Sequence, residues 1–199
     1  MDENRFYNSA LKNNTKRFVD PKPVNWFEYK GCTAAAYDLR NGAYPPMLGC
    51  DVIYCEPPYP AGLATFDQRA GAVTGSYKNF GTAFASVWAE FEGKPRALVT
   101  NSQLSKYLPT PEHLIPVKLN GAKSNLACWG LTVVEGASTQ DICHSLGLSF
   151  CRMGDFTCGY GRSVRDFRRA RSGNTFVATD YDKNCIGVLK ELLISEDSP

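Results

Sequence analysis

Between Phe150 and Asp180 the chain reads FCRMGDFTCGYGRSVRDFRRARSGNTFVATD: an apolar run, a break on Gly159 and Gly161, a helical stretch rich in arginine, and a second apolar run ending on an acid. Glycine lets the backbone turn sharply between a strand and a helix, and it admits a ligand closer than any Cβ would allow. The helix that opens near Arg162 and Ser163 offers its N-terminus above that turn. Asp180 falls where a nucleoside-binding α/β unit places an acid for ribose hydroxyls. Strand, glycine turn, helix, strand and acid therefore predict a site for a nucleoside-bearing cofactor. The spacing lacks Gly-x-Gly-x-x-Gly, which argues against a dinucleotide. No Lys-Ser/Thr follows the glycines, which argues against a nucleoside triphosphate.

The rest of the chain continues the alternation. CTAAAYDLRN is rich in helix formers and predicts a helix, which exits through Gly-Ala-Tyr-Pro-Pro into the strand DVIYCE. From Pro60 to Gly81 a glycine-bearing stretch predicts a long, mobile loop, and loops of that length in compact domains are usually functional. TAFASVWAEFEG carries apolar residues at helical spacing, and RALVTNS reads as a buried strand. HLIPVKL and NLACWGLTVVEG, joined by Asn120-Gly121, predict an antiparallel hairpin at one end of the sheet. STQDICHSLGL opens on a helix cap, TFVATD is a strand, and KNCIGVLKELL is a final helix. The expected class is α/β, a mostly parallel, doubly wound sheet with an antiparallel hairpin at one edge.

At 199 residues, 43% apolar and 21% charged, the chain has the makings of one globular core. Residues 1–30 are expected to form a loosely packed arm pinned by Trp26, Phe27 and Tyr29, and residues 31–199 a single domain. A net charge of +2 neither requires nor excludes a nucleic-acid partner. No apolar run is long enough to span a bilayer, and the polar opening MDENRFYNSALKNNTKRF has no signal-peptide core, so the cytoplasm is the expected compartment, without membrane attachment. The eight cysteines are read as reduced thiols, mostly buried. Cys143, His144 and Cys151 are read as adjacent helix residues rather than a metal site.

The segment DVIYCEPPYPAG, from Asp51 to Gly62, ends a buried strand on Glu56, Pro57, Pro58 and Tyr59. Ligands of open α/β sheets sit beyond the carboxyl ends of the strands, so Glu56 and Tyr59 are expected to face the crevice of the glycine turn. The prolines hold the backbone rigid and remove two N–H donors, leaving carbonyls to point at a ligand. A carboxylate, a carbonyl turn and an aromatic face together suit an amino group on a flat ring.

These residues resemble the S-adenosylmethionine-dependent amino-group DNA methyltransferases, whose catalytic motif is Asp/Asn/Ser-Pro-Pro-Tyr/Phe and whose cofactor motif, Asp-Pro-Phe-x-Gly-x-Gly, is similar to DFTCGYG. The order, with the catalytic motif first, is similar to the circularly permuted β class. The resemblance implies a Rossmann-like methyltransferase fold, S-adenosyl-L-methionine as cofactor and no metal. It implies cofactor contacts from Asp155, Phe156, Thr157, Gly159, Gly161, Asp180 and, at the flanking helix, Ser138. It also implies methylation of adenine N6, or secondarily cytosine N4, on a nucleotide flipped from duplex DNA, with RNA or a small amine-bearing molecule as other substrates. Glu56, Pro57, Pro58 and Tyr59 are the implied catalytic residues, with Phe66, Arg69, Tyr77 and Lys78 of the loop as substrate contacts. Glu56 stands where the family has Asp, Asn or Ser, and Phe156 and Thr157 where it has Pro and Phe. The span between the motifs leaves no room for a target-recognition domain. Short or relaxed sequence specificity would follow, with a homodimer or a partner subunit as a means to grip DNA. A catalytically silent nucleic-acid-binding subunit is the alternative that Glu56 raises. The arginines 162, 165, 168, 169 and 171 are read as a solvated helix face.

Overall fold

The computed structural model describes residues 22–57, 77–100, 104–119, 122–132 and 138–198. In chain order the regular elements are β1 (Trp26–Tyr29), β2 (Cys32–Ala36), β3 (Val52–Cys55), α1 (Tyr77–Ala89), β4 (Arg96–Thr100), β5 (His113–Leu119), β6 (Ala122–Trp129), α2 (Thr139–Ser149), β7 (Arg152–Asp155), α3 (Arg162–Ala170), β8 (Thr175–Asp180) and α4 (Lys183–Glu196). Short 3-10 turns lie at Leu39–Asn41, Pro45–Gly49 and Leu104–Tyr107. The strands form one eight-stranded sheet in the order β1-β2-β8-β7-β3-β4-β6-β5. The pairs from β2 through β8, β7 and β3 to β4 are parallel, so the α/β class expected from the alternation holds.

The expected hairpin is present: β5 and β6 pair antiparallel and sit at one edge, with Asn120-Gly121 outside the described residues. A second antiparallel pair, β1 with β2, occupies the opposite edge. The helix expected over CTAAAYDLRN is therefore a strand followed by a 3-10 turn. Alanine's helix propensity, worth at most about 0.7 kcal/mol per residue over ordinary residues, is overridden by pairing on both sides, with β1 and with β8. The turn between β1 and β2 uses Lys30 at φ +48° and Gly31 at φ +77°, the left-handed pair that tight hairpins require. Residues 22–30 thus join the sheet, while residues 1–21 of the expected arm lie outside the described residues.

Both faces of the sheet are covered, and the alternation of side chains along the strands assigns residues to each. Val52 and Tyr54, Ala97 and Val99, and Phe176 and Ala178 pack on the face that carries α2, α3 and α4, against Ile142, Leu146, Val164, Phe167, Ile186 and Leu189. Ile53, Cys55, Leu98 and Val177 pack on the other face, with Met47 of the Pro45–Gly49 turn and Phe80, Phe84, Trp88 and Phe91 around α1. The apolar spacing of α1 extends a turn upstream of Gly81: Phe80 is as buried as Phe84. The helix consequently starts at Tyr77, and the expected loop does not reach Gly81.

From β7 the chain passes through α3 to β8 on one side; from β3 it passes through α1 to β4 on the other. The border between β7 and β3 is the point where the strand order reverses. Ligands of open α/β sheets bind outside the carboxyl ends of the strands at such a point. No helix among the described residues is long and apolar enough to cross a membrane.

Candidate active site

The carboxyl end of β7 runs into the glycine turn, and main-chain hydrogen bonds hold each step. Asp155 is buried, and its carboxylate accepts from the Thr157 N–H at 3.0 Å and from the Ser163 hydroxyl, on the first turn of α3, at 2.6 Å. The Cys158 N–H donates to the Thr179 carbonyl of β8 at 3.0 Å, and the Gly161 N–H donates to the Cys158 carbonyl at 2.7 Å. Gly159 donates its N–H to Asp180 at 2.8 Å, while the other oxygen of Asp180 accepts from the Asp182 N–H at 2.9 Å. One carboxylate at the end of β8 therefore orients both the glycine turn and the entry to α4.

The two glycines serve different ends. Gly161, at φ +72°, caps α3, and a methyl added there would strike the buried Leu189 side chain of α4. Gly159, at φ +51°, would point a methyl into open space. Gly161 permits close helix packing, whereas Gly159 leaves a ligand room to approach the main chain.

Phe156 points away from this opening. Its ring packs against Phe84 at 4.8 Å and Phe91 at 6.0 Å between centroids, deep in the α1 face. Ser138 is the N-cap of α2: its hydroxyl donates to Asp141 at 2.7 Å and accepts from the Asp141 N–H at 3.3 Å, a reciprocal capping box. The Phe156 ring is thus committed to the core, and the Ser138 hydroxyl to its helix cap.

Glu56 and Pro57 follow β3, half-buried, at the adjacent strand end. The Tyr54 hydroxyl donates to Glu56 Oε1 at 2.8 Å. Burial pushes the Asp155 carboxyl up to about 7, with smaller contributions from the charges of Glu56 and Asp180, despite the hydrogen bonds from Ser163 and Thr157. Burial likewise raises Asp180, against the hydrogen bonds from Asp182 and Gly159. Among the described residues, none of the three carboxyls has an ion-pair partner. Three acids gathered at adjacent strand ends, without an ion-pair partner among the described residues, beside a glycine with open space over it, suit a ligand that carries positive charge.

Pro58, Tyr59, Phe66 and Arg69 lie outside the described residues, as do the side chains of Tyr77 and Lys78, whose backbone forms the start of α1. Among the described residues no group of three or more His, Cys, Asp or Glu side chains is arranged to hold a metal ion. Cys143 is buried and Cys151 exposed, both free thiols, as are the other cysteines.

Of the five arginines, Arg162, Arg169 and Arg171 are exposed, as expected of a solvated face, whereas Arg165 and Arg168 turn into ion pairs with the end of α4. Arg165 is buried and pairs with Glu196, Arg168 meets Asp197 at 2.7 Å, and Arg169 bridges Asp166 at 2.9 Å and Glu196. Lys30 of the β1–β2 turn joins the network through Asp197 at 3.0 Å. Arg168 and Lys30 hold the Asp197 carboxyl well below the usual carboxylate range. The arginines thus tie α3 to the end of α4 through acids distant in sequence. Tyr54, Ser163 and Asp182 were not among the expected site residues. The i,i+2 spacing of Tyr54 and Glu56 is a signal that could have found the first.

No protein-family model matches the chain, and no curated protein matches it in sequence. Solved structures do match in fold. TTHA0409, a candidate DNA modification methylase of Thermus thermophilus, superposes with a TM-score of 0.54 at 12% identity, covering 82% of this chain and 94% of that one. Its complex with S-adenosyl-L-methionine gives a TM-score of 0.51 at 12% identity, covering 75% of this chain and 87% of that one. M1.HpyAVI gives 0.51 at 11% identity, covering 79% of this chain and 95% of that one. At such identities the likeness is one of fold.

Proposed function

We propose that this protein is an S-adenosyl-L-methionine-dependent methyltransferase acting on exocyclic amino groups of bases in DNA, adenine N6 foremost. The observation that carries this reading is the switch point: the glycine turn after β7 and Glu56 after β3 stand at neighbouring strand ends, beside Asp180 of β8. The solved structures of the same fold include a DNA modification methylase candidate in complex with this cofactor, which supports the choice.

The residues present fit the cofactor. The space above Gly159 leaves room for a group against the main chain, Asp180 stands at the end of β8 with its carboxylate already oriented, and acids that have no ion-pair partner among the described residues favour a cation. When bound, the cofactor supplies an electrophilic methyl group on a sulfonium. Gly159, Asp180 and the main chain of residues 155–158 would hold it. Glu56 and the Pro57 carbonyl would accept hydrogen bonds from the substrate amino group, which turns the nitrogen lone pair outward. Their contribution is positioning and electrostatics. A paired base cannot enter such a crevice, so the nucleotide is flipped out, with Tyr59 as the stacking ring. The motif order, Glu56 before Asp155, makes this a circularly permuted arrangement in our reading. With no room for a recognition domain between the two motifs, specificity is short or relaxed.

Mass analysis of nucleosides from DNA and RNA of cells expressing the protein tests the proposal. N6-methyladenine in DNA is the expected product; N4-methylcytosine or a methylated RNA base would change the substrate. Absence of every methylated base, with no label transferred from the cofactor to duplex DNA in vitro, overturns it. A second reading, a silent nucleic-acid-binding subunit, rests on Glu56 standing in place of an aspartate. On that reading Glu56→Asp creates activity or changes nothing, and a large loss of activity rules it out.

A further inference from the structure

Glutamate differs from the aspartate of the resembling motif by one methylene, which displaces the carboxylate by about 1.5 Å and adds a rotatable bond. A longer side chain at the mouth of a crevice needs something to fix it. The only side-chain hydrogen bond described for Glu56 comes from Tyr54, two residues earlier on β3. Tyr54 is fully buried on the α2–α4 face, so its ring has no freedom to follow the carboxylate. Burial, reinforced by the nearby Cys143 and Glu56, drives its phenol well above the ordinary value, so the hydroxyl stays a donor throughout the working pH range. Asp155, the other carboxylate near that hydroxyl, is occupied by Ser163 and the Thr157 N–H. The phenol therefore has Glu56 as its acceptor.

We infer that Tyr54 is a positioning residue that adapts this site to glutamate: it draws Oε1 back toward β3 and leaves Oε2 to receive the substrate amino group. Tyr54 itself is sealed in the core and touches neither substrate nor cofactor. The inference rests on the proposed methyl transfer, in which Glu56 accepts a hydrogen bond from the amino group of the base. The inference requires that an aspartate at position 56, one methylene shorter, lose this hydrogen bond, so that tyrosine and glutamate act as a pair.

A double-mutant cycle with Tyr54→Phe and Glu56→Asp tests the pairing. Methyl transfer from labelled cofactor to duplex DNA gives kcat and the cofactor KM for the four proteins. In the parent background Tyr54→Phe is expected to lower kcat about tenfold to a hundredfold, the loss of a hydrogen bond to a charged group, with the cofactor KM within about twofold. In the Glu56→Asp background the same change costs less than about twofold. A merely structural tyrosine would lower activity equally in both backgrounds, and that result overturns the inference, as does no loss in either. Crystal structures of the parent and Tyr54→Phe decide it independently of activity. The carboxylate should leave its parental position once the hydroxyl is gone, and an unmoved Glu56 refutes the role. If the parent methylates no nucleic acid, the proposed function falls while this structural comparison still decides the positioning.

Discussion

The two strand ends that meet at the switch point are built differently. Beyond β7, the glycine turn is closed by hydrogen bonds from Thr157, Ser163, Cys158, Gly159 and Gly161 before any ligand arrives. Beyond β3, the described turn carries a single side-chain hydrogen bond, Tyr54 to Glu56. The first end is part of the fold's own stability. The second is a carboxylate resting on a rigid strand, to which the proposed function assigns the chemistry. Changes to the packed or hydrogen-bonded residues at β7 should therefore destabilise the protein, and changes at β3 should silence it while leaving it folded.

The largest effect expected is from Gly161→Ala, which combines a left-handed backbone with a collision against Leu189. It should lower the unfolding free energy by on the order of 2–4 kcal/mol, read from urea denaturation. Glu56→Gln tests the other end. It should reduce methyl transfer about a hundredfold, or about 2.7 kcal/mol in transition-state stabilisation, and move the thermal midpoint by no more than a few degrees. A Glu56 variant that unfolds would erase the contrast.

Ser163→Ala should cost about 1–2 kcal/mol of stability, because a buried carboxylate loses a donor. It also sharpens a pH effect. Asp155 titrates at about 7 in the folded protein and, at its ordinary value of 3.8, far lower when unfolded. Between those values the folded state binds more protons, so the contribution of this group falls as pH rises from about 4 to about 7. Ser163→Ala raises the Asp155 value further and extends that decline to higher pH, whereas Asp155→Asn removes it. Denaturation across a pH series distinguishes the two.

The smallest stability effect is expected for Gly159→Ala. No neighbour obstructs its methyl, so only the backbone conformation is penalised, by about 1 kcal/mol. Cofactor binding measured by calorimetry should nonetheless weaken at least tenfold. Equal cofactor affinity in this variant would mean that the open space above Gly159 is not where the cofactor rests.

Legibility in the sequence followed the range of the interactions. The unit from Arg152 to Asp180, with its glycine turn and terminal acid, could be read directly, because strand period, glycine and cap are local signals. So could the α2 cap at Ser138 and the β5–β6 hairpin. Residues 32–36 could not. Their alanines favour a helix, and only the neighbouring strands on both sides make them a strand. Nor could the pairing of Arg165 and Arg168 be read, since Glu196 and Asp197 are acids at the far end of the chain, in and just beyond another helix.

Local chemistry along the chain thus marks the residues to which the proposed function is assigned: a glycine turn with its acid, and a carboxylate before paired prolines. Their adjacency belongs to the fold. Asp155 and Glu56 lie far apart in sequence and become neighbours because β3 and β7 pair in parallel where the strand order reverses. That pairing is a long-range contact whose entropy cost is met by burial of both faces of the sheet, a property of the assembled core rather than of either motif.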